Sequence, residues 1–160
     1  MTVGGTREQK PRTVAASQQT MTYLAAPNDV NLRGNLFGGV ILALVDKLAY
    51  VCATRHADCP TVTASFDQVD FRAPIEIGEV VTLHASVNYV GRTSMEVGIR
   101  VVAEPVTGGE ARHTNSCYVT MVAVDEEGRP KPVPGLVLED EVQLRRYQGA
   151  VKRRAVRKGR

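Results

Sequence analysis

The chain has 160 residues, of which 43% are hydrophobic, and this content is typical of one globular domain with a single core. Aromatic residues are scarce (three Phe, five Tyr, no Trp), which argues against a platform that stacks single-stranded nucleic acid. The formal net charge of +3 is unevenly spread, because residues 145–160 carry eight Lys or Arg and no acid. The other 144 residues carry twelve basic and seventeen acidic side chains, so the body is acidic and we expect no nucleic-acid partner.

Residues 1–18 are polar and contain Gly, Pro and Ser, and we expect them to form a flexible N-terminal arm. They lack the apolar stretch of a signal peptide, and no apolar run in the chain approaches the roughly 20 residues of a membrane span. The three cysteines, Cys52, Cys59 and Cys117, lack the even number of a disulfide framework and the spacing of a zinc site. These features predict a cytoplasmic protein with no bound metal.

The central segment, residues 19–127, is predicted to form one α+β domain. Residues 20–26 are typical of a strand, and residues 27–35 form a loop rich in Asn, Asp and Gly. A helix is then predicted from Gly38 to about His56. It is apolar on nearly every side, which indicates that it is buried.

Four further strands follow the helix, each with β-branched residues or apolar–polar alternation. They are predicted at residues 61–71, 80–90, 94–104 and 111–125. One buried helix wrapped by an antiparallel sheet of about five strands accounts for this order, and its uncovered face and edges predict a dimer. Residues 128–160 are predicted to form an irregular extension with a short helix, ending in a basic tail that is either solvated or in contact with phosphates.

One carboxylate, Asp46, lies in the middle of the apolar helix. It shares a helical face with Tyr50 and Thr54 at spacings of four, and a solvent-facing stripe is the simplest interpretation. The pair Gly38–Gly39 suggests another, because the first N–H groups of a helix are unpaired and favour an anion or an oxyanion. Asp46 lies roughly 10 Å further along the axis. A long substrate or a second subunit must therefore bridge the two.

The stretch PNDVNLRGNLFGGVILALVDKLAY (27–50) resembles the signature of hotdog-fold acyl-CoA thioesterases of the YciA-like and cytosolic acyl-CoA hydrolase type. That signature has the form Asn-x-x-Gly-x-x-Phe-Gly-Gly, followed by a helix with a carboxylate near its middle. Residues 62–104 resemble three strands of the same family, including its Phe-x-x-Pro turn and its Gly-x-Thr-Ser link. The resemblance covers about residues 20–126.

The resemblance implies the hotdog fold and hydrolysis of acyl-CoA to a free fatty acid and CoA at sites between two subunits. Asn31 and Asp46 match the family's catalytic Asn and Asp, which opposite subunits contribute. Asp46 would act as a general base or, alternatively, as a nucleophile, and Asn31 would orient water or polarise the thioester carbonyl. The N–H groups of Gly39 and Gly38 would stabilise the oxyanion.

The resemblance also implies contacts to CoA from Arg72, Arg92, Thr93 and Ser94. It implies no cofactor, since CoA belongs to the substrate, and a homo-oligomer that is a dimer or a hexamer made of three dimers. Two other functions stay open. One is a non-catalytic module that binds acyl-CoA, and the other is a hotdog enoyl-CoA hydratase or dehydratase, which the lack of His in the loop and helix core disfavours.

Overall fold

A computed structural model describes residues 1–6 and 8–159 of the chain. It contains eight strands and two α-helices, of which the first, α1, spans Gly38–Ala57 and the second, α2, spans Glu141–Lys158. The strands are β1 (Thr2–Val3), β2 (Arg12–Thr13), β3 (Gln19–Leu24), β4 (Thr61–Phe71), β5 (Glu79–Val90), β6 (Ser94–Pro105), β7 (Arg112–Ala123) and β8 (Leu136–Val137). Within the described residues, neither helix is long and apolar enough to cross a membrane.

Five of the strands form one antiparallel sheet in the order β3-β5-β6-β7-β4. One face of this sheet, the inner face, carries alternating apolar side chains that pack with the buried side of α1. Val45, Ala49 and Cys52 of the helix are fully buried there. The predicted α+β hotdog arrangement, with one buried helix on a five-stranded sheet, is confirmed.

The helix α1 begins at the glycine pair, as predicted. Phe37 precedes it in an extended conformation, and Asp58 ends it in the left-handed conformation with φ of 57°. The amide of Asp58 donates to the carbonyl of Thr54 at 2.9 Å, which closes the last turn. Because α1 lies next to the edge strand β4, its position brings the polar stripe of the helix beside that edge.

The N-terminal residues are more ordered than the predicted flexible arm. The strands β1 and β2 flank β8, antiparallel and parallel respectively, in a small second sheet. Val3 and Val14 are buried, with 8% and 3% of their surface exposed. The sequence pattern does not reveal these strands, because each is two residues long and pairs with a segment more than a hundred residues away.

The basic end of the chain forms part of the long helix α2, whereas a short helix followed by an irregular basic tail was predicted. The helix α2 packs on the outer face of the sheet, which is the face opposite α1. Arg153 forms two hydrogen bonds to the carboxylate of Glu96, at 2.7 and 3.1 Å, and its guanidinium stacks on the ring of Tyr118 at 3.5 Å. Arg157 forms a single ion pair, at 2.5 Å, with Oδ2 of Asp67. Part of the basic charge therefore holds the helix on the sheet.

Replacing Arg153 by Met is expected to destabilise the protein by roughly 3 kcal/mol, near the lower end of the range for breaking a buried ion pair. The reason is that the Glu96 side chain is only 5% exposed, whereas Arg153 keeps 22% of its surface in water. Urea unfolding measures the loss, with Lys152→Met as the matched control on the exposed side of α2. A loss no greater than that of the control contradicts this role for the ion pair.

A second stability prediction concerns His56, which is fully buried at the end of α1. Its Nε2–H donates to the carbonyl oxygen of Pro134 at 3.1 Å, and among the described residues Nδ1 has no hydrogen-bond partner. Burial lowers the pKa of His56 because the charged form loses its hydration. In the unfolded chain the imidazole of His56 therefore binds a proton near pH 6.5, whereas in the folded state it binds that proton only at a lower pH.

The free energy of unfolding is thus expected to fall as pH drops below about 6.5, by at most about 1.4 kcal/mol per pH unit for this one group. Urea unfolding at pH 7.5 and 5.5 should show a smaller loss in His56→Gln than in the wild type. His84→Gln, which alters an exposed histidine, serves as the control and should keep the full dependence. Identical pH dependence in the wild type and His56→Gln contradicts the assignment.

Candidate active site

Asp46 does not simply face solvent, because the stripe it belongs to runs along the edge strand β4. The carboxylate is half-buried and its Oδ1 accepts a hydrogen bond of 2.6 Å from the hydroxyl of Thr63. About two turns further along α1, the hydroxyl of Thr54 lies 3.0 Å from that of Thr61. Among the described residues no side chain donates to Oδ2 of Asp46. One oxygen is therefore held in place while the other stays available.

Thr63 was not predicted as a site residue. It lies in a strand of alternating polarity, where a threonine is common, and nothing local distinguishes it. Its contact with Asp46 spans seventeen residues and depends on the packing of α1 against β4. Only the fold reveals that this hydroxyl orients the carboxylate.

Asn31 lies in a tight loop before α1, and its own side chain helps to shape that loop. The carboxamide oxygen accepts from the backbone amides of Arg33 at 2.8 Å and Asn35 at 3.3 Å, an Asx-type turn. Asn31 is exposed, and its NH₂ group is left as a donor toward solvent or a partner. Leu32, the next residue, is fully exposed despite its large apolar side chain.

The start of α1 presents backbone donors, as the Gly38–Gly39 pair predicted. The first helical amide with an acceptor is that of Val40, which donates to the carbonyl of Phe37 at 2.9 Å. Within the part of the chain that the structure describes, the amides of Gly38 and Gly39 have no backbone acceptor. A Cβ atom on Gly39 would lie 2.7 Å from the ring of Phe37, so the glycine keeps this ring close to the helix start.

Arg72 lies close to the start of α1. It follows β4, and its backbone amide donates to the carbonyl of Thr114 at 2.8 Å. A cavity of about 300 Å³ is lined by Arg72 together with Asn31 and Gly38. The structure therefore brings three of the predicted site residues together, near a helix start that favours anions.

The other residues predicted to contact CoA lie elsewhere in the protomer. The turn of Arg92 and Thr93 joins β5 to β6, and Ser94 pairs in register with Val122, which pairs with Val62 beside Thr63. This turn is thus at the Asp46 end of the sheet, and the Arg92 side chain is exposed. Eight residues of helix, roughly 12 Å of rise, separate Asp46 from the cavity at Gly38. Each protomer consequently carries two distant halves of the predicted site.

Cysteine chemistry does not fit the arrangement. Burial raises the pKa of Cys52 to about 12 and that of Cys117 to about 11, which keeps both thiols protonated and poorly nucleophilic. Among the described residues there is no cluster of His, Cys, Asp and Glu side chains suited to a metal ion.

Comparisons with known proteins agree with this architecture. The model of the thioesterase superfamily matches residues 33–109. The VdlD protein of Helicobacter pylori is 50% identical over 137 residues, which are 86% of this chain and 78% of the relative. The Bacillus subtilis protein YkhA, named an uncharacterized acyl-CoA thioester hydrolase, is 39% identical over 144 residues, or 90% of this chain and 84% of the relative.

Solved structures are also similar. A hexameric acyl-CoA thioesterase, solved in its apo form, superposes with a TM-score of 0.91 at 40% identity, covering 94% of this chain and 97% of that one. The acyl-CoA hydrolase of Staphylococcus aureus, solved with butyryl coenzyme A and coenzyme A, gives a TM-score of 0.87 at 36% identity, covering 92% and 90%.

Further structures of the Staphylococcus aureus enzyme carry single alanine substitutions of an Asn, an Asp and a Thr. In that protein the Asn and the Asp are fifteen positions apart, and the Asp and the Thr seventeen. Asn31, Asp46 and Thr63 have the same separations here. The fold, the sequence similarity and this spacing agree, and the chain belongs to the thioesterase superfamily, among its acyl-CoA thioester hydrolases.

Proposed function

We propose that this protein hydrolyses the thioester bond of an acyl-CoA, with Asp46 as the general base. The observation that carries the proposal is the Asp46–Thr63 pair, a half-buried carboxylate of α1 that a hydroxyl of β4 holds in place. The hydrogen bond from Thr63 fixes Oδ1 of this half-buried carboxylate, and its other oxygen can take a proton from a water that attacks a thioester. The matching spacing in the Staphylococcus aureus enzyme supports the same assignment.

The reaction follows from the donors and acceptors present. Asp46 takes a proton from a water molecule, and the water oxygen attacks the thioester carbonyl. The carbonyl oxygen becomes negative and is stabilised by the N–H groups of Gly39 and Gly38. The C–S bond then breaks, CoA leaves as a thiolate, and the proton held by Asp46 returns to the products. Asn31 orients the water or polarises the carbonyl through its NH₂ group. Direct attack by Asp46, with an anhydride intermediate, is the alternative.

Two subunits are needed to assemble this site. A two-fold dimer would place the Asn31 loop and helix start of one protomer against Asp46 of the other. The large apolar side chains exposed around the two halves support such an interface, since Leu32 is 108%, Phe37 57% and Val62 50% exposed. These three side chains lie on the loop of Asn31, at the start of α1 and on the edge strand β4, which are the segments that the dimer must bring together. The similarity to a hexameric thioesterase supports a hexamer made of such dimers.

The charged groups near the two halves suit the phosphates of CoA. Arg72 lines the cavity at the helix start. The exposed Arg92 lies with the half-buried Thr93 and Ser94 where the chain passes from β5 to β6, at the Asp46 end of the sheet. Arginine binds phosphate through its planar fork of donors. The reaction as written needs only water and acyl-CoA, so we propose no cofactor. The unpaired thiols of Cys52 and Cys117 support a reducing compartment, the cytoplasm.

Thiol release from a series of acyl-CoAs tests the proposal directly. The acyl chains range from about two to about sixteen carbons, so that both short and long chains are included. A thiol-reactive dye follows free CoA, and we expect turnover of at least part of the series. Tight binding of acyl-CoA without thiol release would instead indicate the non-catalytic binding module. Addition of water to an enoyl-CoA without thiol release would indicate a hydratase.

A further inference from the structure

A polar cavity of about 380 Å³ lies on the outer face of the sheet, away from both halves of the catalytic site. Its position follows from the strand register. His84, Arg100 and Ser116 stand opposite one another on β5, β6 and β7, and Ser86, Gly98 and Tyr118 form the next row. Residues in such rows share one face, and the intervening residues pack on the inner face with α1. Arg146 of α2 completes the wall.

The lining of this cavity is positive because it contains Arg100 and Arg146 and no carboxylate. Asp70, which pairs in register with Ser116, is hydrogen-bonded to Gln68 and does not line the cavity. Glu96 is paired with Arg153, and Asp67 is paired with Arg157. Neither Arg100 nor Arg146 forms an ion pair with any residue that the structure describes. No carboxylate lines the cavity, so two uncompensated guanidinium groups face the same space.

The floor of the cavity is built for hydrogen bonding. Ser86 and Asn88 are 7% and 5% exposed, and the serine hydroxyl donates to the asparagine oxygen at 3.3 Å. Gly98 makes room for this arrangement, since a Cβ atom there would lie 2.3 Å from Nδ2 of Asn88. Asn88, Ser116 and Tyr118 all line the cavity, so an amide and two hydroxyl-bearing side chains border the same space.

We propose that this outer-face cavity binds a small organic phosphate monoester. Two unpaired guanidinium groups match the charge of about −1.5 to −2 that a phosphate monoester carries at neutral pH. The guanidinium forks, the hydroxyls and the amide supply more donors than a carboxylate accepts, whereas a phosphate has three strong acceptor oxygens. The volume lies within the usual range for small-molecule sites, roughly 300–1,000 Å³, and leaves space for an organic group beside the phosphate. This site is independent of the thioesterase reaction proposed above.

Isothermal titration of the full-length oligomer with glucose 6-phosphate at low ionic strength tests the proposal, with glucose as the uncharged probe. We expect saturable binding of the phosphate ester and none of glucose. Arg100→Gln and Arg146→Gln should each weaken binding about tenfold or more, as expected for loss of a charge-assisted contact. Arg145→Gln, on the neighbouring exposed position of α2, is the matched control and should bind like the wild type.

Two results would overturn the proposal. One is the absence of saturable binding to the wild-type protein. The other is unchanged binding to the Arg100→Gln/Arg146→Gln double variant. Loss of that binding in Arg72→Gln would place the phosphate at the helix-start cavity instead. Circular dichroism and size-exclusion chromatography of each variant establish that the fold and the oligomer are retained.

Discussion

Replacing Asp46 by Asn is expected to lower kcat for acyl-CoA hydrolysis by about 10²–10⁴-fold, the usual contribution of a general base. Asparagine has almost the same shape and still accepts a hydrogen bond from Thr63 through its amide oxygen, so the helix and its contact with β4 should persist. It cannot take a proton from water at neutral pH. The KM value should therefore change much less than kcat, since substrate binding does not depend on this proton transfer.

The matched control for this substitution is Asp70→Asn. Asp70 is also a half-buried aspartate beside the edge of the sheet, but it pairs in register with Ser116 and accepts its hydrogen bond, 2.8 Å, from Gln68. Its loss should leave kcat near the wild-type value. Thiol release at saturating substrate gives kcat for the wild type, Asp46→Asn and Asp70→Asn, and size-exclusion chromatography verifies that each forms the same oligomer. An Asp46→Asn variant that keeps more than about a tenth of wild-type kcat would exclude the general-base role, given the expected range.

The strands and the buried helix were predictable because their signals are local. The run of apolar residues after Gly38 has the length of a helix, and the predicted strand at 61–71 matches β4 residue for residue. The other strand boundaries agree to within about two residues, as periodic patterns allow. What these patterns do not contain is the order of the strands, since β5 and not β4 lies beside β3.

The parts that were predicted wrongly depend on distant contacts. The N-terminal segment contains isolated valines whose burial follows from pairing with β8. The basic end was expected to be a tail that is either solvated or in contact with phosphates, yet Arg153 and Arg157 contact acids on the sheet that precede them by 57 and 90 residues. No local pattern in either segment reports a partner at that distance.

The candidate site divides in the same way. The glycine pair at the start of α1 and the carboxylate of Asp46 within it stand out from the apolar sequence, and the resemblance to thioesterases adds Asn31. Thr63 has no such signal, since its role arises only when β4 packs beside α1. The structure of one protomer also separates residues that the chemistry requires together, so the proposed mechanism requires a second subunit.

Mixing two inactive variants is expected to restore activity, and this is the sharpest test of a site shared between subunits. Asn31→Ala and Asp46→Asn should each be nearly inactive as pure proteins. If Asn31 of one protomer acts with Asp46 of its partner, a mixed dimer contains one site with both defects and one site with neither. Random pairing of equal amounts then leaves about a quarter of all sites intact, by the symmetry of a two-fold dimer.

Co-expression of the two variants with different affinity tags, followed by thiol release on the purified mixture, measures the recovery. A second mixture, of Asp46→Asn with the Asn31→Ala/Asp46→Asn double variant, contains no intact site in any pairing and should stay inactive. Recovery to about a quarter of wild-type activity in the first mixture alone establishes a composite site. Absence of recovery, with mixed dimers verified by both tags, would mean that Asn31 and Asp46 act within one protomer. We expect the recovery, because roughly 12 Å of helix separates Asp46 from the start of α1 within one protomer.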